Sequence, residues 1–303
     1  MNTMDSGARA HEVNPPGDHI VQANGVDLCV ETIGDPADPA VLLIHGAGNC
    51  MLSWDEEFCE RLAAGPRFVI RYDSRDAGRS VMSEPGAPPY ALRDLVADAV
   101  GLLDTLGVAR AHVVGMSLGA AIGQLLALDH PDRVASLTLA SSTPGGPGHE
   151  NPDLPGMSRE LRAFFEDEPP EPDWADRAAV IEYLVDAERP FAASSRPFDE
   201  AAMRELAGRV FDRSVNLAWS LTSSFVLDAG DPWRERLGEV AAATLVVHGT
   251  EDPLFPYEHA VALAREIPAA ELLALERTGH EYFPRETWDL VVPAVLRHMS
   301  GRG

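Results

Sequence analysis

The feature that most constrains the fold is a serine held between two glycines where a strand pattern meets a helix pattern. The segment 115–119 (GMSLG) lies between an apolar run at 111–114, typical of a buried strand, and an apolar stretch at 118–130 that Pro131 ends. A strand that turns directly into a helix places the intervening residue at the apex of a sharp turn, and flanking glycines avoid clashes across it. The segment therefore predicts a strand–turn–helix unit with Ser117 at its apex.

Strand and helix patterns alternate over most of the chain. Strand patterns occupy 26–34, 40–45, 68–72, 111–115, 134–140, 244–249 and 271–275. Helical patterns occupy 54–63, 91–106, 118–130, 257–266 and 286–299. Some of the strand patterns are continuously apolar, as is typical of strands buried on both faces. This alternation predicts an α/β fold, with a mainly parallel sheet and helices on both faces.

The alternation is interrupted between 144 and 237. This stretch has helical patterns at 176–187 and 199–213, no convincing strand, and 10 of the chain's 20 aromatic residues. Most of these aromatic side chains must form a small core, but a few can line an apolar pocket where the insertion meets the sheet. Trp219 and Phe225 are our candidates for such substrate-binding residues.

These patterns predict one domain with an insertion. We expect a flexible N-terminal segment at 1–19, an α/β core at 20–143 and 238–300, and a helical lid at 144–237.

Composition excludes several classes of partner. The 303 residues carry 48 acidic against 24 basic side chains, a formal net charge of −24, and every basic side chain is arginine. Nucleic acids and anionic membranes require a basic face, so we expect neither as a partner. Without lysine the chain cannot form a Schiff base. The N-terminus shows no leader pattern and the three cysteines have no framework spacing, which favours a cytoplasmic protein with free thiols.

The motifs resemble those of the α/β-hydrolase superfamily and, within it, of the aclacinomycin methylesterases, which remove a methyl ester from anthracycline polyketides. The resemblance is carried by 34–54 (GDPADPAVLLIHGAGNCMLSW), 69–80 (VIRYDSRDAGRS), 111–119 (AHVVGMSLG) and 127–133 (ALDHPDR). The general pattern covers 26–299, and the closer likeness lies mostly in the first 140 residues. The resemblance implies an α/β-hydrolase fold with a mainly parallel eight-stranded sheet.

The resemblance also implies a catalytic triad in the chain order serine, acid, histidine. A serine hydroxyl is a poor nucleophile until a base, itself oriented by a third group, removes its proton. Asp252 follows the strand pattern at 244–249, and His280 follows the strand pattern at 271–275. We therefore expect Ser117 to be the nucleophile, His280 the base and Asp252 the orienting acid.

Other acids and histidines compete for these roles. Glu251 adjoins the expected acid, although neighbours on a loop usually point apart, and Asp228 and Asp231 lie near the end of the insertion. His248 falls within or at the end of a strand pattern. We expect His259, in a helical pattern, to lie at the surface.

The resemblance places the oxyanion hole at the backbone N–H groups of Ala47 and Leu118. Ala47 belongs to the segment 45–48 (HGAG), which follows a strand pattern. The resembling methylesterases have no histidine at the position of His45. We expect the imidazole of His45 to brace this loop. The sequence has no H-E-x-x-H motif and no G-x-G-x-x-G in the required context, so we expect neither a metal nor a cofactor.

The sequence thus predicts a serine hydrolase that cleaves a small-molecule carboxylic ester through an acyl-enzyme, with a methyl ester of an aromatic polyketide as the implied substrate. The same triad also suits hydrolysis of lactones, thioesters or C–C bonds and cofactor-free perhydrolysis, and a non-catalytic receptor of this fold is a further alternative. The acidic charge favours a neutral or cationic ester, whose carboxylate product would be repelled.

Overall fold

The centre of the structure, a computed structural model that describes residues 17–167 and 169–301, is one eight-stranded sheet. Its strands are β1 (His19–Ala23), β2 (Val26–Ile33), β3 (Ala40–Ile44), β4 (Phe68–Tyr72), β5 (Ala111–Met116), β6 (Val134–Ala140), β7 (Thr244–Gly249) and β8 (Glu271–Leu275). The spatial order is β1-β2-β4-β3-β5-β6-β7-β8. β2 runs antiparallel to β1 and β4, and the other neighbouring strands are parallel. The predicted eight-stranded, mainly parallel sheet is confirmed.

The edge strand β1 has no counterpart among the strand patterns of the sequence. It is five residues long and pairs antiparallel with β2, with His19 opposite Val30. His19 is the last residue of the segment predicted to be flexible, and residues 1–16 of that segment lie outside the described residues.

Nine α-helices accompany the sheet within the described ranges. They are α1 (Glu56–Ala63), α2 (Leu92–Thr105), α3 (Leu118–Asp129), α4 (Arg159–Glu166), α5 (Arg177–Glu188), α6 (Glu200–Arg213), α7 (Leu217–Thr222), α8 (Glu258–Glu266) and α9 (Trp288–Met299). The apolar residues of α2, α3 and α8 share one buried cluster with the sheet, whereas those of α1 and α9 share the other. The sheet is therefore covered on both faces, which explains why the central strand β3 is apolar throughout.

Helices α4 to α7 lie between β6 and β7, in the stretch predicted to be a lid. They contribute to a small apolar cluster of their own, around Val180, Leu184 and Ala207. The sequence patterns indicate α5 and α6 but neither α4 nor α7. The division of the chain at 144 and 237 stays a prediction.

Four strands bring chemistry-bearing loops to one edge of the sheet. Because β3, β5, β7 and β8 are parallel, their carboxyl ends meet at the same edge. Each of these strands is followed by one of the residues singled out in the sequence: β3 by His45, β5 by Ser117, β7 by Asp252 and β8 by His280.

The three cysteines are free and buried. None of the helices within the described ranges is long and apolar enough to cross a bilayer.

Candidate active site

Ser117 occupies the turn between β5 and α3 in an unusual backbone conformation, with φ 53° and ψ −111°. Such a conformation costs a residue with a side chain roughly 1–3 kcal/mol, so the surroundings must hold it in place. A Cβ atom at Gly115 would lie 2.2 Å from the carbonyl oxygen of Gly119, and one at Gly119 would lie 2.2 Å from that of Ile44. Only glycine fits on either side, which is the physical reason for the sequence motif.

The side chains of His280 and Asp252 are joined by a 2.8 Å hydrogen bond from Nδ1 to Oδ2. The second oxygen of Asp252 accepts the backbone N–H groups of Leu254 and Phe255 at 2.9 and 2.8 Å. The carboxylate is thus fixed by three hydrogen bonds. Because Nδ1 of His280 donates to Asp252, Nε2 is the ring atom that can accept a proton.

Two opposing effects set the charge of Asp252, which is 4% exposed. Burial acts to raise the pKa of the carboxyl group. The attraction and the hydrogen bond of His280, together with smaller effects of His248 and of the Phe255 N–H, outweigh it, and the pKa is lowered overall. Asp252 is therefore a carboxylate at neutral pH. An ionised acid hydrogen-bonded to Nδ1 holds the imidazole in one tautomer and stabilises the imidazolium that forms when Nε2 takes a proton.

His248 lies within β7, beside this pair. Its Nε2 is 2.7 Å from the carbonyl oxygen of Phe255 and 3.4 Å from Oδ2 of Asp252. Burial lowers the pKa of His248, so the ring is neutral near pH 7 and Nε2–H donates to the carbonyl. Its approach to Asp252 is therefore not an ion pair, and His248 acts as a buried neighbour of the acid.

Ser117 and His280 both line a cavity of about 1810 Å³ between the sheet edge and the insertion. Sites for drug-sized ligands usually measure about 300–1,000 Å³, so this cavity has room for a bulky molecule. The rings of Phe191 and Phe255 lie 6.0 and 5.5 Å from the imidazole of His280. Other phenylalanines contribute to the lining, namely Phe58, Phe164, Phe165, Phe198, Phe225 and Phe283.

The loop after β3 lies directly against the serine. A Cβ atom at Gly46 would be 3.5 Å from Cβ of Ser117. Ala47 and Leu118 both line the cavity, and neither backbone N–H donates a hydrogen bond to another described residue. Leu118 is also the first residue of α3, where the helix dipole favours negative charge. The two N–H groups predicted to form an oxyanion hole are thus available at the cavity wall.

His45 holds this loop through its backbone. Its Nδ1 is 2.9 Å from the carbonyl oxygen of Gly46, and its Nε2 accepts the backbone N–H of Ser74 at 3.1 Å. Burial lowers the pKa of His45, so the ring is neutral, with Nδ1 donating and Nε2 accepting. This arrangement agrees with the bracing role expected from the sequence.

Tyr282 is a residue at this site that sequence reasoning missed. Its hydroxyl oxygen accepts the backbone N–H of Gly46 at 2.7 Å, and its ring packs edge-on against Trp54 with centroids 5.1 Å apart. Burial raises the pKa of the phenol, which is therefore neutral. Since Tyr282 stands two residues after His280, it ties the histidine loop to the Ala47 loop. The only sequence signal was its proximity to His280.

Two of the competing acids, Glu251 and Asp228, are engaged elsewhere. Glu251 accepts the backbone N–H of Ser195 at 3.0 Å and the hydroxyl of Ser194 at 3.1 Å, on the insertion. Asp228 accepts the backbone N–H of Gly230 at 2.9 Å. The structure pairs neither carboxylate with His280.

The expectation that His259 lies at the surface is wrong. It is 6% exposed, with Nδ1 2.8 Å from the hydroxyl of Thr143 and Nε2 2.8 Å from the carbonyl oxygen of Pro155. Hydrogen bonds at both ring nitrogens compensate for the burial of the ring. The helical pattern alone could not reveal these two partners.

The two predicted substrate-binding residues are placed differently. Phe225 lines the cavity and is 66% exposed. Trp219 is not part of the cavity lining; it is buried, and its indole N–H donates to the hydroxyl of Ser83 at 3.1 Å. The structure therefore does not bring Trp219 to the cavity, because its polar edge anchors the insertion to the core.

Comparisons with known proteins identify the family and the fold. A family model described as alpha/beta hydrolase fold matches residues 39–286. Rhodomycin D methylesterase DnrP of Streptomyces peucetius is 34% identical, with 92% of this chain and 97% of that protein covered. Putative carbamate hydrolase RutD of Variovorax paradoxus is 33% identical over 82% of this chain and 87% of its own.

A solved structure shares the fold. The meta-cleavage product hydrolase CumD of Pseudomonas fluorescens superposes with a TM-score of 0.72 at 21% identity, covering 94% of this chain and 98% of that one.

Proposed function

The chain belongs to the α/β-hydrolase family, and we propose that it is a serine esterase that hydrolyses a carboxylic ester through Ser117, His280 and Asp252. The observation that carries the proposal is the 2.8 Å hydrogen bond between His280 and Asp252 beside the strained turn that presents Ser117 to the same cavity. This combination suits acyl transfer to a serine hydroxyl.

The proposed reaction has two halves. Nε2 of His280 takes the proton of Ser117 as its Oγ attacks the ester carbonyl, and the N–H groups of Ala47 and Leu118 stabilise the oxyanion. His280 then protonates the departing alcohol. A water molecule that loses a proton to His280 then attacks the carbonyl of the acyl-enzyme. The bond to Oγ of Ser117 breaks, His280 returns the proton to that oxygen, and the acid leaves.

The size and lining of the cavity support a bulky aromatic substrate. Its volume of about 1810 Å³ and its phenylalanines suit a polycyclic ring system. The rhodomycin D methylesterase named above covers nearly the whole chain, so we propose a methyl ester of an aromatic polyketide as the substrate class.

The experiment that tests the reaction class is Ser117→Ala. We expect this variant to lose hydrolysis of p-nitrophenyl acetate while keeping the thermal unfolding midpoint of the parent protein, since the change removes only one oxygen. Full retained activity would overturn the assignment of the nucleophile.

The substrate class is tested with two methyl esters. We expect a higher kcat/KM for methyl 2-anthracenecarboxylate than for methyl benzoate, because the larger ring system fills more of the cavity. Lactones, thioesters and vinylogous C–C substrates belong to the same panel. A clear preference for one of these over every carboxylic ester would replace the proposed substrate.

A further inference from the structure

We propose that Glu188 forms a cation-binding subsite of the cavity, which holds a positively charged group of the substrate near the ester that is cleaved. The inference rests on the proposed ester hydrolysis and narrows its substrate class to cationic esters.

Glu188 lies close to the candidate triad without belonging to it. It is the last residue of α5 and lines the cavity. Three residues later, the carbonyl oxygen of Phe191 accepts the backbone N–H of His280 at 2.8 Å. A group held by Glu188 would therefore be near the reacting centre.

The placement of Glu188 is unfavourable for a carboxylate in the unliganded protein. The carboxyl end of a helix carries partial negative charge, which repels an anion. Burial raises the pKa of Glu188, and the neighbouring charge of Glu281 raises it further. Its carboxyl group forms no hydrogen bond or ion pair with another residue of the described chain. A bound cation would relieve each of these penalties at once.

The arginines of the described cavity wall each lie against another carboxylate, and none forms an ion pair with Glu188. Arg196 lies 2.5 Å from Glu281, Arg285 lies 2.7 Å from Glu57, and Arg209 lies 4.0 Å from Glu56. The described lining contains nine acidic side chains against three arginines. The cavity thus has an acidic excess that favours a cation over an anion.

His280 is the other group near Glu188 that can become positive, and its attraction acts to lower the pKa of Glu188. The Nδ1–H of His280 is already used by Asp252. Phe191 also lines the cavity, and the faces of aromatic rings attract cations. Together these features favour an ammonium group of the substrate as the partner of Glu188.

The test uses two esters of the same shape that differ in charge. These are the p-nitrophenyl esters of 4-(trimethylammonio)butyrate and of 5,5-dimethylhexanoate, in which a quaternary carbon replaces the nitrogen. Hydrolysis of both is measured with the parent protein, with Glu188→Gln and with Glu205→Gln. Glu205 is an exposed residue of the same lining, so the control variant makes the same chemical change away from Glu188.

We expect Glu188→Gln to lower kcat/KM for the cationic ester by roughly tenfold or more and to leave the neutral ester within about twofold. Glu205→Gln should leave the ratio of kcat/KM for the cationic ester to kcat/KM for the neutral ester nearly unchanged. An equal loss on both esters would overturn the subsite, because Glu188 would then act on His280 or on the fold. No loss on either ester would also overturn it.

Binding separates this inference from the proposed function. Calorimetric titration of the two esters is carried out with Ser117→Ala and with the double variant Ser117→Ala/Glu188→Gln. The subsite predicts tighter binding of the cationic ester to the first protein than to the second, whether or not the parent protein turns the ester over. Equal binding of this ester to both proteins would refute the subsite, whereas absence of turnover by the parent protein would count against the esterase alone.

Discussion

Tyr282→Phe is the substitution that most sharply probes how the histidine loop and the Ala47 loop are held together. The change removes one oxygen, the acceptor of the 2.7 Å hydrogen bond from the backbone N–H of Gly46. A buried donor left without a partner costs about 1–3 kcal/mol. Gly46 precedes Ala47, whose N–H is a proposed oxyanion donor, so part of this free energy should appear as a higher barrier.

The expected consequence is a fall in kcat of about tenfold to a hundredfold, since each 1.36 kcal/mol of barrier is about a factor of ten. KM should change little because Tyr282 is proposed to position the oxyanion loop and not to bind the ground state. Burial raises the pKa of this phenol, so it is neutral at pH 6 to 9 and the loss should be uniform over that range.

The assay is steady-state hydrolysis of p-nitrophenyl acetate by the parent protein, Tyr282→Phe and Tyr90→Phe. Tyr90→Phe also removes a 2.7 Å hydrogen bond, which the hydroxyl of Tyr90 donates to Asp76, but Tyr90 lies outside the cavity lining. Tyr90→Phe should lower the unfolding midpoint with little effect on kcat. The reasoning is refuted if Tyr282→Phe keeps full kcat, or if both variants lose kcat in proportion to their loss of stability.

Two further predictions concern His280 and a histidine remote from it. In Gly279→Ala the new Cβ would lie 2.2 Å from the carbonyl oxygen of Phe191, so the loop must shift and kcat should fall by about a hundredfold. The control is Gly238→Ala, which has open space around it and should not change kcat. Equal kcat in the two variants would contradict this reasoning. Burial lowers the pKa of His112 to about 4, so below about pH 6.5 the unfolded chain takes up a proton that the folded protein resists. The free energy of unfolding, measured in urea, should therefore decrease as the pH is lowered from 7 to 5, with a contribution of about 1 kcal/mol from His112 after solvent screening. In His112→Gln this decrease should be smaller. An equally large decrease in the variant would count against the explanation.

The sequence predicted those features that one short segment determines. Ser117 could be identified because a strand–turn–helix junction admits only glycine at 115 and 119, and the contacts of both glycines bear this out. The strands at 68–72, 134–140, 244–249 and 271–275 were predicted to the residue, since each is a short run rich in apolar residues. β1 (HIVQA) was missed because only three of its five residues are apolar, whereas four of the five residues of the other edge strand, β8 (ELLAL), are apolar.

Features that depend on distant contacts could not be predicted. Trp219 is aromatic in an aromatic-rich insertion, but its indole N–H bonds to Ser83, 136 residues earlier in the chain. Glu188 looks like an ordinary helix-ending glutamate until the fold places it in the cavity. Tyr282 acquires its role only when Gly46, 236 residues earlier, comes within hydrogen-bond distance. Such pairs are set by packing of the insertion and the loops, and no local pattern encodes them.

The central claim, that Ser117 is the nucleophile of an esterase, is tested most directly by mapping a covalent inhibitor. The parent protein and Ser117→Ala are treated with diethyl p-nitrophenyl phosphate, which phosphorylates activated serines, and digested peptides are analysed by mass spectrometry. The account predicts one diethylphosphoryl group per chain on Ser117, loss of esterase activity in proportion to labelling, and no labelling of the variant. Ester hydrolysis that continues in fully labelled protein, or a label on another residue that accounts for the loss of activity, would contradict it.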